Sequence, residues 1–143
     1  MANLNWPKNI MDDLYRELII DRFQNPQFRG SLDPNDISFE DDNPLCGDHI
    51  RIDLRVGDDD VITEAAFDGR GCSISQASAD LVVESVIGKT LAEVKNYTKE
   101  DVLDLLGIEL GPVRLKCALL SLKVVKAGVY GLNVGEAGDD LIE

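Results

Sequence analysis

The chain has 143 residues, 44% of them hydrophobic, so it is long enough to bury a core as one domain without disulfide or metal staples. Its formal net charge of −13, from 27 acidic and 14 basic residues, argues against nucleic acid or anionic lipid as a partner. No apolar run suits a signal peptide or a membrane span, and three widely spaced cysteines do not form a disulfide framework, so we expect a soluble cytoplasmic protein.

The first predicted element is a helix from about Ile10 to Gln24, which Asn25-Pro26 ends. Its apolar residues recur at helical spacing and predict one stripe that faces the core, formed by Leu14, Leu18, Ile19 and Phe23. A segment rich in turn residues follows, and residues 37–40 are then predicted to form a short strand.

A hairpin is predicted next. Apolar and charged residues alternate from Ile50 to Val56, which indicates a strand with one buried and one solvated face. Gly57–Asp60 provides the turn, and Val61–Phe67 returns as the partner strand. Together with residues 37–40, the hairpin predicts a sheet of three antiparallel strands.

The second half of the chain is predicted to be helical. Glycine, proline and capping pairs such as Thr90 with Glu93 delimit four helices, at residues 75–87, near Thr90, at 98–106 and at 113–130. Strands followed by helices predict an α+β fold, a small antiparallel sheet packed against a layer of helices. We expect residues 1–130 to form a single domain and residues 131–143 to be a disordered acidic tail.

Cys72 is the first candidate for chemistry. The glycines of Gly69-Arg70-Gly71 allow turn conformations, and Ser73 with Gln76 resembles a capping box that begins a helix. A cysteine at this point lies in the positive field of the first helical turn, which favours the reactive thiolate. The competing interpretation is a buried structural cysteine, because free cysteines are often buried.

Four possible ligands are predicted around one end of the sheet. Cys46 precedes the central strand and Cys72 follows the hairpin, so an antiparallel arrangement brings them to the same end. Asp48 projects the same way as Cys46 in an extended loop, and Cys117 joins them if the last helix begins at that end. Three thiolates and one carboxylate would hold zinc or ligate a small iron–sulfur cluster.

Two kinds of neighbouring residue complete this hypothesis. Arg114 and Lys116 flank Cys117, where their positive charge lowers the cost of its thiolate. His49 is the single histidine, and strand alternation directs it away from Cys46 and Asp48. We therefore interpret His49 as a solvated loop residue beside a strand and not as a ligand.

The sequence resembles the IscU/SufU/NifU N-terminal family of iron–sulfur scaffold proteins over nearly its whole length. The motifs that carry this resemblance are Leu14-Tyr15-Arg16, Asn25-Pro26, Gly30, the segment from Asn43 to Asp48, the segment from Phe67 to Ser78 and the segment from Val113 to Ala118. The resemblance implies the family's α+β fold. It also implies that Cys46, Asp48, Cys72 and Cys117 form a shared site for metal, persulfide sulfur or a nascent cluster.

The resemblance implies a scaffold rather than an enzyme as the leading hypothesis. A pyridoxal-phosphate cysteine desulfurase would supply sulfur, and a labile [2Fe–2S] cluster would pass to acceptor or carrier proteins. The alternative is a zinc-dependent sulfurtransferase of the SufU kind, in which Cys117 or Cys46 accepts the sulfur. A third possibility is an interaction module whose metal is purely structural, and that reading predicts unfolding when the metal is removed.

Three departures separate the chain from the branches of this family. Lys116 precedes the third cysteine, as in SufU, where IscU usually has histidine, yet the segment between Gly88 and Val113 is too short for the usual SufU insertion. Pro112 is the one proline retained where the chaperone-docking motif of IscU has two, which weakens the expectation of chaperone docking.

Overall fold

The computed structural model describes residues 8–43 and 47–131. Its helices and strands are α1 (Lys8–Gln24), β1 (Ile37–Asn43), β2 (Asp48–Val56), β3 (Ile62–Arg70), α2 (Ser73–Val86), α3 (Leu91–Lys95), α4 (Lys99–Leu106) and α5 (Pro112–Tyr130). Cys46 and, apart from Gly131, the predicted disordered tail lie outside the described residues, so the expected division into a domain and a tail stays a prediction.

The three strands form one antiparallel sheet in the order β1-β2-β3, which confirms the predicted α+β fold. Each strand extends beyond its predicted apolar core, so that Asn43 pairs with Asp48 and His49 pairs with Arg70. The alternation of side chains could not show these ends, because backbone pairing continues through charged residues. The extension matters for the site, since it makes Asp48 the first residue of a strand.

The core lies between the inner face of the sheet and the helices. Ile50, Ile52 and Leu54 of β2 are at most 2% exposed. Helices α2 and α5 pack against each other and against the sheet, and α1 packs on α2. Apolar residues at helical spacing in α2 and α5 contribute to this core. Leu115 is partly buried, and the buried ones include Ala77, Leu81, Val82, Val86, Ala118, Leu119, Leu122 and Val125.

The predicted apolar stripe of α1 is wrong for two of its members. Ile19 is buried, but Leu14 is 48% exposed and Phe23 is 41% exposed. The contact between α1 and α2 also includes an ion pair between the guanidinium of Arg22 and the carboxylate of Asp80, 2.8 Å apart and largely withdrawn from solvent. Helical spacing identified an apolar stripe, but it could not show that a charged residue of α1 would be buried as well.

Asp80 joins three segments of the chain. Its carboxylate accepts hydrogen bonds from the backbone N–H groups of Gln27 and Phe28 at 2.9 and 2.8 Å, in addition to Arg22. Arg22 also donates to the exposed carboxylate of Glu84. Burial alone would lower the pKa of Arg22, but its hydrogen bonds to Asp80 and Glu84 raise it, so the guanidinium stays charged.

The shorter helices begin where their capping residues predicted. The side chain of Thr90 accepts from the N–H of Glu93, and the Glu93 carboxylate accepts from the N–H of Thr90, each at 3.1 Å. Gly107 ends α4 in a left-handed conformation. No helix in the described part of the chain combines the length and the apolar character needed to span a membrane.

Candidate metal centre

Three of the four predicted ligands lie together. One donor atom each from Asp48, Cys72 and Cys117 fall within 4.8 Å of one another. Asp48 begins β2, Cys72 immediately precedes α2, and Cys117 lies near the start of α5. The direction of α5, which periodicity could not determine, therefore brings its N-terminal end to the same edge of the sheet.

Cys72 is the N-cap residue of α2. Its backbone is extended, with φ −70° and ψ 164°, and its carbonyl oxygen accepts from the N–H of Gln76 at 3.2 Å. The predicted capping role of Ser73 is therefore wrong by one residue, because Ser73 is already helical. The thiol of Cys72 makes no capping hydrogen bond to its own helix, and this partly exposed sulfur remains available to a ligand.

Asp48 connects the sheet to this helix. Its side chain is fully buried, and Oδ1 accepts a hydrogen bond from the N–H of Cys72 at 2.8 Å. The second oxygen, Oδ2, lies 3.6 Å from the Cys72 sulfur, whose thiol donates to it. A buried carboxylate needs such donors to offset its loss of hydration. One oxygen thus fixes the backbone while the other faces the thiol.

Gly71 makes room for this carboxylate. Its φ of +143° is a conformation that other residues rarely adopt, and a Cβ built at this position would lie 2.0 Å from Asp48 Oδ1. The sequence pattern predicted a glycine here for backbone freedom. The structure adds a second reason, which is that any side chain at residue 71 would displace Asp48.

Cys117 lies deeper than Cys72. It is 2% exposed and belongs to α5, which packs against α2 and the sheet. At the next residue, the carbonyl of Ala118 accepts a hydrogen bond from the hydroxyl of Ser78 at 2.6 Å, which links α5 to α2. Arg114 and Lys116 are exposed on the first turns of α5, and their predicted effect on the Cys117 thiolate stays a prediction.

His49 takes no part in this group. Its Nδ1 lies 2.5 Å from a carboxylate oxygen of Asp42, and its Nε2 lies 3.6 Å from Glu40. Both partners belong to β1, whereas the preceding residue, Asp48, points to the opposite, buried side. His49 is a strand residue rather than the predicted loop residue, but it is directed away from the candidate site as expected.

The donor set fits the proposed metal chemistry. Thiolate sulfur and carboxylate oxygen are both zinc ligands, and bond lengths near 2.0–2.3 Å place tetrahedral donors about 3.6 Å apart. The three donor atoms, already within 4.8 Å, need only small side-chain movements to reach that spacing. Among the described residues, no second group of three such side chains lies this close.

Sequence reasoning missed the residues that support the ligands. Ser75, Gln76 and Ser78 are all at most 3% exposed, and each makes a side-chain hydrogen bond next to a cysteine. The one available signal in the sequence was the presence of these polar residues beside Ala77 and Ala79, which are buried. That signal identifies buried polar groups but not their partners.

The chain is similar to proteins of one known family. The family described as the NifU-like N-terminal domain matches residues 14–135. The chain is 35% identical to the zinc-dependent sulfurtransferase SufU of Bacillus subtilis over 136 residues, which cover 83% of this chain and 91% of that protein. It is 36% identical to the iron–sulfur cluster assembly scaffold protein IscU of Escherichia coli over 118 residues, covering 80% and 91%.

Solved structures show the same fold. A crystal structure from Fervidobacterium islandicum, described as an iron–sulfur cluster assembly scaffold for the SUF system, superposes with a TM-score of 0.70 at 27% identity, covering 79% of this chain and 94% of that one. The N-terminal part of a NifU-like protein from Brucella abortus superposes with a TM-score of 0.67 at 21% identity, covering 89% and 98%, and supports the fold alone.

Proposed function

The chain belongs to the family of NifU-like N-terminal domains, and from this membership we propose that it is a scaffold on which iron–sulfur clusters are assembled. The observation that carries the proposal is the convergence of Asp48, Cys72 and Cys117, three ligand residues from separate elements. Iron and sulfide are the cargo of this site. The site delivers a labile [2Fe–2S] cluster to acceptor or carrier proteins.

The four ligands have different tasks in this proposal. Cys46, Cys72 and Cys117 bind iron as thiolates, which are the usual ligands of such clusters. Asp48 is the exchangeable fourth ligand, because a carboxylate is a harder donor than a thiolate and holds a cluster less firmly. The partial exposure of Cys72 gives iron and acceptor proteins access to one side of the site.

Sulfur reaches the site from a cysteine desulfurase. The thiolate of Cys117 or Cys46 attacks the outer sulfur of the desulfurase persulfide, a new S–S bond forms, and the desulfurase cysteine leaves as a thiolate. Arg114 and Lys116 stabilise the attacking anion by their charge. We assign this activity to the cytoplasm, because a reducing compartment maintains free thiols such as Cys72 and Cys117.

A second candidate function is zinc-dependent sulfur transfer. It is favoured by the 35% identity to SufU of Bacillus subtilis and by Lys116, which precedes Cys117 as in that branch. The residues that would hold zinc are Asp48 and the three cysteines. Zinc supplies a Lewis acid that keeps a thiolate deprotonated and ready for exchange. In this case the chain would relay persulfide sulfur and activate the desulfurase.

Metal analysis of protein purified without oxygen from its own host distinguishes the two. For a scaffold, we expect iron and acid-labile sulfide that can be transferred to an apo-protein. Reconstitution needs a desulfurase, cysteine, ferrous iron and a thiol reductant, which supplies the two electrons that convert persulfide sulfur to sulfide. Cys117→Ser should abolish stable loading, because it removes a buried ligand. Tight stoichiometric zinc with strong activation of the desulfurase, and no transferable cluster, would instead establish the sulfurtransferase.

A further inference from the structure

A chain of hydrogen bonds inside α2 ends at the cysteine that begins the helix. The side-chain NH₂ of Gln76 donates to the hydroxyl oxygen of Ser75 at 3.2 Å, and the Ser75 hydroxyl donates to the carbonyl oxygen of Cys72 at 3.1 Å. Gln76 is 3% exposed and Ser75 is fully buried. Neither side chain is a metal ligand in the proposed function.

The direction of these bonds determines how the Gln76 amide is turned. Ser75 has a single hydroxyl proton, and it is used on the Cys72 carbonyl, so the Ser75 oxygen can only accept from Gln76. The NH₂ group of Gln76 must therefore face Ser75. Its carbonyl oxygen Oε1 is left buried without a hydrogen-bond partner in the described part of the structure.

A buried acceptor without a partner destabilises a fold, and an apolar side chain of the same length avoids this loss. A methionine is similar in length to Gln76 and has no amide oxygen to leave unpaired. The presence of an amide with an unpaired oxygen at this buried position therefore indicates a task other than packing. The task we identify is the orientation of Cys72.

Hydrogen bonds hold Cys72 on both sides of its Cα atom. Its N–H is bound by Asp48 at 2.8 Å, and its carbonyl is bound by the Ser75 hydroxyl and by the N–H of Gln76. These contacts restrain both backbone dihedrals of Cys72, so that only its side-chain dihedral can still change. The backbone thereby determines the direction of the Cα–Cβ bond relative to Asp48 and Cys117.

We propose that Ser75 and Gln76 are positioning residues that hold Cys72 in the geometry needed to bind a metal ion. This inference rests on the proposed role of Cys72 as a ligand. It goes beyond that role by assigning a function to two residues that touch no metal. Supporting residues of this kind typically change metal affinity by about 10- to 100-fold when they are removed.

Gln76→Met tests the proposal, because it removes the amide and also removes the unpaired oxygen. We expect zinc affinity, measured by competition with a chromophoric chelator, to fall about tenfold. The thermal midpoint of the metal-free protein should stay the same or rise. A residue with only a structural role would not produce this opposite pair of effects.

Ser75→Ala provides a second variant, should Gln76→Met fold poorly, and it should weaken zinc binding to a similar extent. Ser75→Thr keeps the hydroxyl and should restore the affinity. The matched control is Ser85→Ala, since the Ser85 hydroxyl makes the same kind of bond, to the carbonyl of Val82 at 2.7 Å, at the far end of α2. We expect this control to leave zinc affinity unchanged.

Each result supports or overturns the inference. Unchanged zinc affinity in both Gln76→Met and Ser75→Ala would overturn it. The inference would also be overturned if zinc affinity fell in proportion to the loss of thermal stability in Gln76→Met, Ser75→Ala and the control Ser85→Ala alike. If the wild-type protein bound no zinc, the proposed ligand site itself would fail together with this inference. If the wild type and the variants bound zinc equally, only the positioning role would be lost.

Discussion

The two carboxylate oxygens of Asp48 contact different atoms of Cys72. Oδ1 holds the N–H of Cys72, and Oδ2 faces the Cys72 sulfur at 3.6 Å. Removal of this side chain therefore removes the acceptor of the Cys72 N–H and, under the proposed function, the exchangeable oxygen ligand. Replacement by alanine and by asparagine separates them, because asparagine retains a neutral acceptor for the N–H group.

Asp48→Ala is expected to make a bound cluster survive severalfold longer in air, since the weak carboxylate ligand provides the point at which the cluster is exchanged. The measurement is the decay of the visible absorption of the reconstituted cluster. Asp48→Asn should prolong the lifetime at least as much, because it keeps the contact to Cys72. Faster decay in both variants would show that Asp48 has a different role.

At the scale of single elements, α1 depends on one buried carboxylate. Asp80 is fully withdrawn from solvent and binds Arg22 and two backbone N–H groups, whereas Glu84, on the same arginine, has a side chain that is 43% exposed. A buried ion pair and an exposed one thus share a single cation. Their contributions to stability should differ strongly.

Asp80→Asn is expected to lower the free energy of unfolding by about 3 kcal/mol, because it leaves a largely buried guanidinium facing a neutral amide. Glu84→Gln, the matched control, should change it by less than about 1 kcal/mol, since solvent screens an exposed pair. Urea unfolding followed by circular dichroism measures both. Equal effects would mean that Asp80 contributes no more than a surface charge.

A buried lysine links α5 to the segment after α3. Lys126 is 5% exposed and donates to the carbonyl of Tyr97 at 2.5 Å. Burial lowers the pKa of Lys126, an effect that Asp101 partly opposes. Burial has the opposite effect on Tyr97 and raises its pKa, because in each case it disfavours the charged form. At alkaline pH, Lys126 should therefore make the free energy of unfolding rise with pH, whereas Tyr97 should make it fall.

The free energy of unfolding of the wild type, relative to Lys126→Met, should rise as the pH approaches the ordinary lysine value of 10.5. In this range the unfolded chain still binds the lysine proton after the folded protein has released it, so a higher pH favours the folded state. Tyr97→Phe, in both backgrounds, removes the opposing contribution. A difference between wild type and Lys126→Met that falls with pH would contradict the assignment.

At the scale of the whole molecule, the net charge of −13 opposes compaction through repulsion between like charges. Three adjacent acidic residues, Asp58–Asp60, form an exposed turn, and the last two have left-handed backbones with φ of 59° and 58°. Asparagine tolerates this conformation as well as aspartate does. The turn therefore allows charge to be removed without a change in backbone geometry.

The thermal midpoint should rise when sodium chloride increases the ionic strength to about 0.15 M, because screening weakens the repulsion. The double variant Asp59→Asn with Asp60→Asn removes two negative charges, so it should have a higher midpoint in low salt and a smaller response to added salt. Differential scanning calorimetry gives both values. A midpoint that falls with salt would indicate that attractive ion pairs outweigh the repulsion.

The sequence predicted those parts of the molecule that depend on local chemistry. Thr90 with Glu93 and the alternation from Ile50 to Val56 correctly indicated a helix start and a half-buried strand, because capping and alternation act over a few residues. The exposure of Leu14 and Phe23 could not be predicted in this way, since it depends on which face of α1 packs against the rest of the fold, a tertiary property.

The candidate site was partly predictable for the same reason. The meander placed Asp48 and Cys72 at one end of the sheet from strand order alone. The approach of Cys117 depends on the direction of α5, which is a tertiary property. The hydrogen bonds of Ser75 and Gln76 were beyond the reach of sequence patterns, because residue type does not specify a buried partner.

The hydrogen bond from the Cys72 N–H to Asp48 offers a way to follow cargo at one backbone atom. Whenever the carboxylate turns toward incoming iron or zinc, the electron density at that amide must change. In isotope-labelled protein, the amide resonance of Cys72 should therefore shift on loading and return on delivery. Filling and emptying of the scaffold could then be timed by magnetic resonance with diamagnetic zinc, even where no colour develops.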